Sequence, residues 1–391
     1  MTEPADRHAS WLELFFDLVV VVAVSQLAHL LHGDAHHGPD ALHIVTFFAL
    51  YLAIWLVWTT FTLYSNVLAE RTRTRSMLLG MGGIAVMAAS VPHLQEGRAD
   101  LFAAMYLVTS AIGSGAFTRS GQVLLSWGAA TRNAGLVPWI VSFWAEHPWV
   151  RLSLWLLGLG MTLWFSVLSG RRDGEELIDR LNERLARRAA RERRRRGDSP
   201  TLTVAHVDTA HLGERLGLFV IIVLGEAMLQ LVGAWANVED WSPGSGEGWL
   251  LLVTVASGFA LVVALWALNM RYAFAESRPY PPAVVLPVHF VVVSAVTTVA
   301  AGLGSVAAAP AEHLPGTTLW LLCSGVSAFL LMVTLLSRAT RRRALTAAAI
   351  ALPLAAGAVG PLVPAAVVAV VLLAAAAGQL WNLRGALRSH A

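Results

Sequence analysis

The chain has 391 residues, 56% hydrophobic and 14% charged, with a mean hydropathy of +0.62 and a formal net charge of +3. A water-soluble fold of this length has no use for so much apolar surface, whereas a helical protein surrounded by lipid does. The single cysteine, Cys323, excludes an internal disulfide and a cysteine-based metal cluster, and the apolar runs are too long for barrel strands.

The first apolar run opens at Trp11 with acids in its first turn and is long enough to span. It is therefore expected to be a retained helix and not a cleaved signal peptide. Runs of spanning length lie near 11–32, 42–65, 77–95, 101–118, 124–145 and 150–169. A second set lies near 214–235, 248–270, 283–308, 317–337, 343–361 and 363–383. Each is close to the roughly 20 residues that cross a hydrocarbon core, which predicts an all-α polytopic transmembrane bundle of about twelve spans. The fifth is the weakest, because Arg132 and Asn133 lie inside it. It is expected to begin as an interfacial stretch, with Arg132 snorkelling to a headgroup layer.

All 28 basic residues are arginine. In a twelve-span layout the loops holding Arg71, Arg73, Arg75, Arg119, Arg271, Arg278, Arg338, Arg341, Arg342 and Arg343, and the tail with Arg384 and Arg388, fall on one side. The opposite loops hold only Arg98 and Arg151. This asymmetry predicts an inner membrane protein with both termini in the cytoplasm. Trp144, Trp149, Trp235, Trp241, Trp249 and Trp320 fall near the outer ends, as an aromatic belt requires. Trp55 and Trp266 fall mid-span and are expected to pack between helices.

The runs divide the chain into an N-terminal six-helix half (1–169), a basic connector (170–213) and a C-terminal six-helix half (214–391). In the connector Leu177, Leu181 and Leu185 repeat at helical spacing, while Glu176 with Arg180 and Glu183 with Arg187 form favourable i,i+4 pairs. An amphipathic helix over 171–196 would lie on anionic headgroups, or serve only as a solvated topology anchor. Without interleaved aromatics it is not a nucleic-acid site. Glu13 aligns on Glu214 and the apolar residues after them correspond, which is compatible with a parallel 6+6 repeat.

Carboxylates within apolar helices are the chemical signal of this chain. A charge in the bilayer costs at least about 2.5 kcal/mol, so such residues are paired or line a polar path. Glu13 and Asp17 lie one turn apart on the first helix, followed by Gln26; Glu214, Arg215, Glu226 and Gln230 lie on the seventh. Arg215 and Glu226 are eleven residues apart, about 16 Å along the axis, and cannot pair with each other. Glu226 is the deepest acid and is expected to need a partner from another helix, or a proton. Arg132, His211 and His289 are secondary candidates. The structural alternative is that these groups only bridge helices. The loop holding His32, Asp34, His36, His37, Asp40 and His43 has no diagnostic metal spacing. No metal site and no cofactor is expected. The chain lacks HExxH, GxSxG and Walker A patterns, so no enzymatic activity is expected either.

The segments WLELFFDLVVVVAVSQLAHLL (11–31) and HLGERLGLFVIIVLGEAMLQLV (211–232) resemble the bacterial low temperature requirement protein A family, in its ELFFDL opening and its ERxGLFxIIxLGE segment. TTFTLYSN (59–66) and VPWIVSFW (137–144) extend the resemblance. It implies that Glu13, Phe16, Asp17, Gln26, His211, Glu214, Arg215, Gly225 and Glu226 occupy signature positions of a multi-pass inner-membrane family linked by name to growth in the cold. Arg71, Thr72 and Arg73 stand where many members carry acids, and Ser110 stands near where many carry arginine. Two functions compete. One is a transporter or channel for a small solute or ion, proton-coupled through its intramembrane carboxylates. The other is a non-transporting sensor, scaffold or assembly factor with a role in growth in the cold.

Overall fold

The structure, a computed structural model, describes residues 8–33, 37–120, 122–123, 127, 135–169, 203–236, 245–274, 280–337 and 342–387. Twelve α-helices occur among them. In chain order these are α1 (Trp11–Ala28), α2 (Ala41–Leu68), α3 (Thr74–Ser90), α4 (Ala99–Ser120), α5 (Leu136–Val141) and α6 (Pro148–Ser169). They continue as α7 (Thr209–Ala236), α8 (Gly246–Leu268), α9 (Pro282–Ala308), α10 (Gly316–Ser337), α11 (Arg343–Val359) and α12 (Ala365–Leu387). The strand pairing among the described residues is two residues long, Gln122–Val123 running parallel to Thr203–Val204.

Among the described residues ten helices, α1–α4 and α7–α12, are long and apolar enough to cross a membrane. The expected fifth span is represented by the six residues of α5 and the 3₁₀ turn Ser142–Trp144. Arg132 and Asn133 lie outside the described residues. α6 reaches 22 residues. The amphipathic helix expected over 171–196 also lies outside the described residues. Large apolar side chains stand open to the surroundings on many helices, among them Trp11, Leu229, Leu335 and Val367. Such outward apolar faces suit lipid and not water.

The chain packs as two compact units. The first comprises 1–23, 52–212 and 279–286; the second comprises 24–51, 213–278 and 287–391. Each therefore draws on both the earlier and the later part of the sequence.

In the first unit α3 packs closely on α4. A Cβ at Gly83 would collide with the Thr109 side chain, so a small residue is what lets these backbones approach. An aromatic block joins α4, α5 and α6. The Trp139 and Trp155 rings stack at 5.0 Å, Tyr106 meets Trp139 at 4.2 Å, and the Trp155 indole donates to Ser142 Oγ at 2.9 Å. The two arginines of the arginine-poor loops are bonded locally. Arg98 donates to the Ala89 carbonyl at 3.1 Å, and Arg151 lies 3.4 Å from Asp100.

In the second unit α8 packs on α12, α12 on α11, and α11 on α10. Ser327 Oγ donates to the Ile350 carbonyl at 2.7 Å, Gln379 to Thr334 Oγ1 at 2.8 Å and Asn382 to Thr346 Oγ1 at 2.9 Å. These cross-helix bonds satisfy polar groups that lipid cannot. The tryptophans expected to pack between helices divide. Trp55 is buried, but Trp266 is 46% exposed and lines a groove between α8 and α12. That corrects the expectation for Trp266: its position in the run gave its depth, not its face.

Candidate functional site

Two polar clusters form, one in each unit. In the first, α1 begins with a capping box. Ser10 precedes the helix and Glu13 is its third residue. Glu13 Oε2 accepts from Ser10 N and Ser10 Oγ, both at 2.9 Å, and Ser10 Oγ accepts in return from Glu13 N at 3.3 Å. The carboxylate thus satisfies backbone donors at the positive end of the helix. Its other oxygen lies 3.3 Å from His211 Nε2 of α7, with both side chains buried. The first helix and α7 therefore touch here. One turn further on, Asp17 is wholly buried and accepts from the Trp58 indole at 2.7 Å.

The start of α7 is clamped in the same unit. Asp208 Oδ1 accepts from Ala210 N and His211 N, both at 3.1 Å, and so caps the helix. Asn66, at the end of α2, grips the backbone of that cap. Its amide donates to the Asp208 carbonyl and its oxygen accepts from Asp208 N, each at 2.9 Å. His211, which meets Glu13, is thereby held by a residue 142 positions from the cap.

In the second unit the deep acid is not alone. Glu226 is 2% exposed and accepts from Gln230 Nε2 at 2.7 Å, one helical turn on. The His32 ring stands close to Gln230 and Glu226. His32 follows the 3₁₀ turn His29–Leu31 that ends the first span, and its ring lies 5.6 Å from that of His29. Burial, and secondly His29, push the His32 pKa below its ordinary value. Its Nδ1 is buried and lacks a hydrogen-bond partner among the described residues. Gly304 of α9 leaves room for this arrangement, since a Cβ there would stand 3.1 Å from Gln230 Oε1. A polar line thus runs from Glu226 through Gln230 to the end of the first span. Glu226 lies ten residues from the end of α7, about 15 Å, or half the hydrocarbon thickness.

The remaining candidates scatter. Arg215 is wholly buried and Glu214 half-buried, both in polar or electrostatic contact. Gln26 is half-buried on α1. His289 is buried between the rings of Phe219 and Phe274 and hydrogen-bonds the Leu216 backbone. In the histidine-rich loop Asp40 is occupied with capping α2, accepting from His43 N at 2.8 Å and pairing with its ring at 2.8 Å. The His43 backbone N–H holds the Asp40 carboxyl below its usual range. Trp58, Asp208 and the role of His32 escaped sequence reasoning. The capping pattern Ser10-x-x-Glu13 was available to it.

A sequence profile described as "Bacterial low temperature requirement A protein (LtrA)" matches residues 8–380. This chain belongs to the LtrA family. It is also similar to "Uncharacterized protein RA0937" of Rhizobium meliloti (strain 1021), 30% identical over 292 residues, which cover 67% of this chain and 61% of that one. The match thus takes in about three fifths of that relative's length. No solved structure matches. LtrA membership and ten helices long and apolar enough to cross a membrane together make this an integral, multi-pass membrane protein. The two LtrA-like segments divide between the clusters: Glu13, Asp17 and His211 belong to the first, and Glu226 with Gln230 to the second.

Proposed function

We propose that this LtrA protein is a transporter or channel for a small solute or ion, proton-coupled through Glu226, and not an enzyme. It would sit in the bacterial inner membrane with both termini cytoplasmic and twelve spans in a 6+6 layout, the halves being 1–169 and 214–391 around a connector that rests on anionic headgroups. The supporting observation is the Glu226–Gln230–His32 line. A buried acid about 15 Å from the end of α7, hydrogen-bonded to an amide that stands close to a histidine at the end of the first span, suits proton or cation passage between mid-membrane and the outer side. Loss of flux through liposomes on Glu226→Gln, in a folded protein, tests it.

A second reading, a sensor, scaffold or assembly factor acting in the cold, draws on the first cluster. Glu13 caps a helix, Asp17 holds an indole, and the Asn66 clamp fixes the entry to α7; all three are structural uses of polar groups. Normal cold growth of a strain whose protein carries Glu226→Gln would favour this reading over transport.

A further inference from the structure

The surface of the second unit carries a groove of about 400 Å³ between α8 and α12. Its walls are Ala260, Val263, Ala264, Leu373, Ala377 and Leu380, with Trp266 and Trp381 at its edges, and it closes at one end on Arg271 and Arg384. From Ala260 to Arg271, and from Leu373 to Arg384, each wall runs eleven residues, about 16 Å. That is the depth of one leaflet, about half of a 30 Å core. The apolar part thus matches an acyl chain and the basic part matches its headgroup.

Charge at the closed end points to the headgroup's sign. Among the described residues neither guanidinium has an acidic partner. Arg342 adds a third positive charge, its guanidinium 6.0 Å from the centre of the Trp381 ring. Two guanidinium forks suit a phosphate. A zwitterionic headgroup would bring a further positive charge to three already present.

We propose that this groove is a binding site for an anionic glycerophospholipid, with one acyl chain between α8 and α12 and its phosphate on Arg271 and Arg384. The site is independent of the transport reading. Snorkelling alone would leave two exposed arginines near headgroups of any kind; the leaflet-length groove and the third positive charge of Arg342 beside it are what make a site selective.

Native mass spectrometry of the full-length protein in detergent, titrated with phosphatidylglycerol or phosphatidylcholine, tests this. One phosphatidylglycerol should be retained about thirtyfold more strongly than phosphatidylcholine, equivalent to about 2 kcal/mol. Arg271→Gln with Arg384→Gln should abolish that preference. Ala377→Trp, which fills the groove and keeps the charges, should expel the lipid, and it carries the test if the double variant does not fold. Arg73→Gln with Arg75→Gln should leave retention intact. Equal retention of the two lipids, retention that survives Ala377→Trp, or competition by inorganic phosphate alone would overturn the proposal.

Discussion

Asn66 offers the sharpest test of the geometry around α7. Asn66→Ala removes two hydrogen bonds of 2.9 Å to the backbone of Asp208, a residue 142 positions away. At about 0.5–1.5 kcal/mol each, their loss should cost about 1–3 kcal/mol, more if the Asp208 N–H is left buried without an acceptor. Asp208→Asn should be nearly neutral, because asparagine caps helices as well as aspartate, while Asp208→Ala should cost about 1 kcal/mol. Melting in detergent gives the rank order, and hydrogen exchange at Asp208–His211 gives the location. Asn66→Ala should accelerate exchange at Asp208 first. Unchanged melting together with unchanged exchange at Asp208 would refute the clamp and remove the reason for holding His211 fixed against Glu13.

Three further outcomes follow from the two clusters. Ser10→Ala should lower thermal stability by about 1 kcal/mol, because it removes the cap of α1; an unchanged melting temperature would contradict the box. Because burial depresses the His32 pKa below its ordinary 6.5, the unfolded chain binds the proton more readily. The His32 contribution to stability is therefore present above pH 6.5 and lost as pH falls through its depressed folded value, and an NMR titration midpoint for His32 at or above 6.5 would count against its burial. Gly304→Val should push Gln230 off Glu226, because even a Cβ there stands 3.1 Å from the amide oxygen, and should lower function without unfolding the protein; full activity would argue against a role for the Glu226–Gln230 bond.

Much of the architecture was legible because lipid leaves the backbone one option. Runs of about 20 apolar residues must be helices, and α1–α4 and α7–α12 stand where those runs were read. Around 124–145, where Arg132 and Asn133 interrupt the run, the described helix is six residues long. The site was legible as residues and not as partnerships. Glu226 and Gln230, at i and i+4, face each other by helical geometry alone. His32 joins them only because the turn His29–Leu31 brings the chain there, and no local pattern encodes that contact. Glu13 stood out as an acid in an apolar helix, but Ser10 three residues before it already signalled a cap. Trp266 was misjudged because hydropathy gives depth in the membrane, whereas the face a side chain presents is set by the neighbouring helix, here α12.

The central claim is that the titratable proton of Glu226 is what the protein uses. Purified Glu226→Gln in liposomes, beside wild type and with a melting curve for each, tests it most directly. The exchange keeps size and hydrogen bonding to Gln230 and removes only titration. The account predicts normal insertion and melting with proton or solute flux abolished. Undiminished flux from folded Glu226→Gln protein would contradict it.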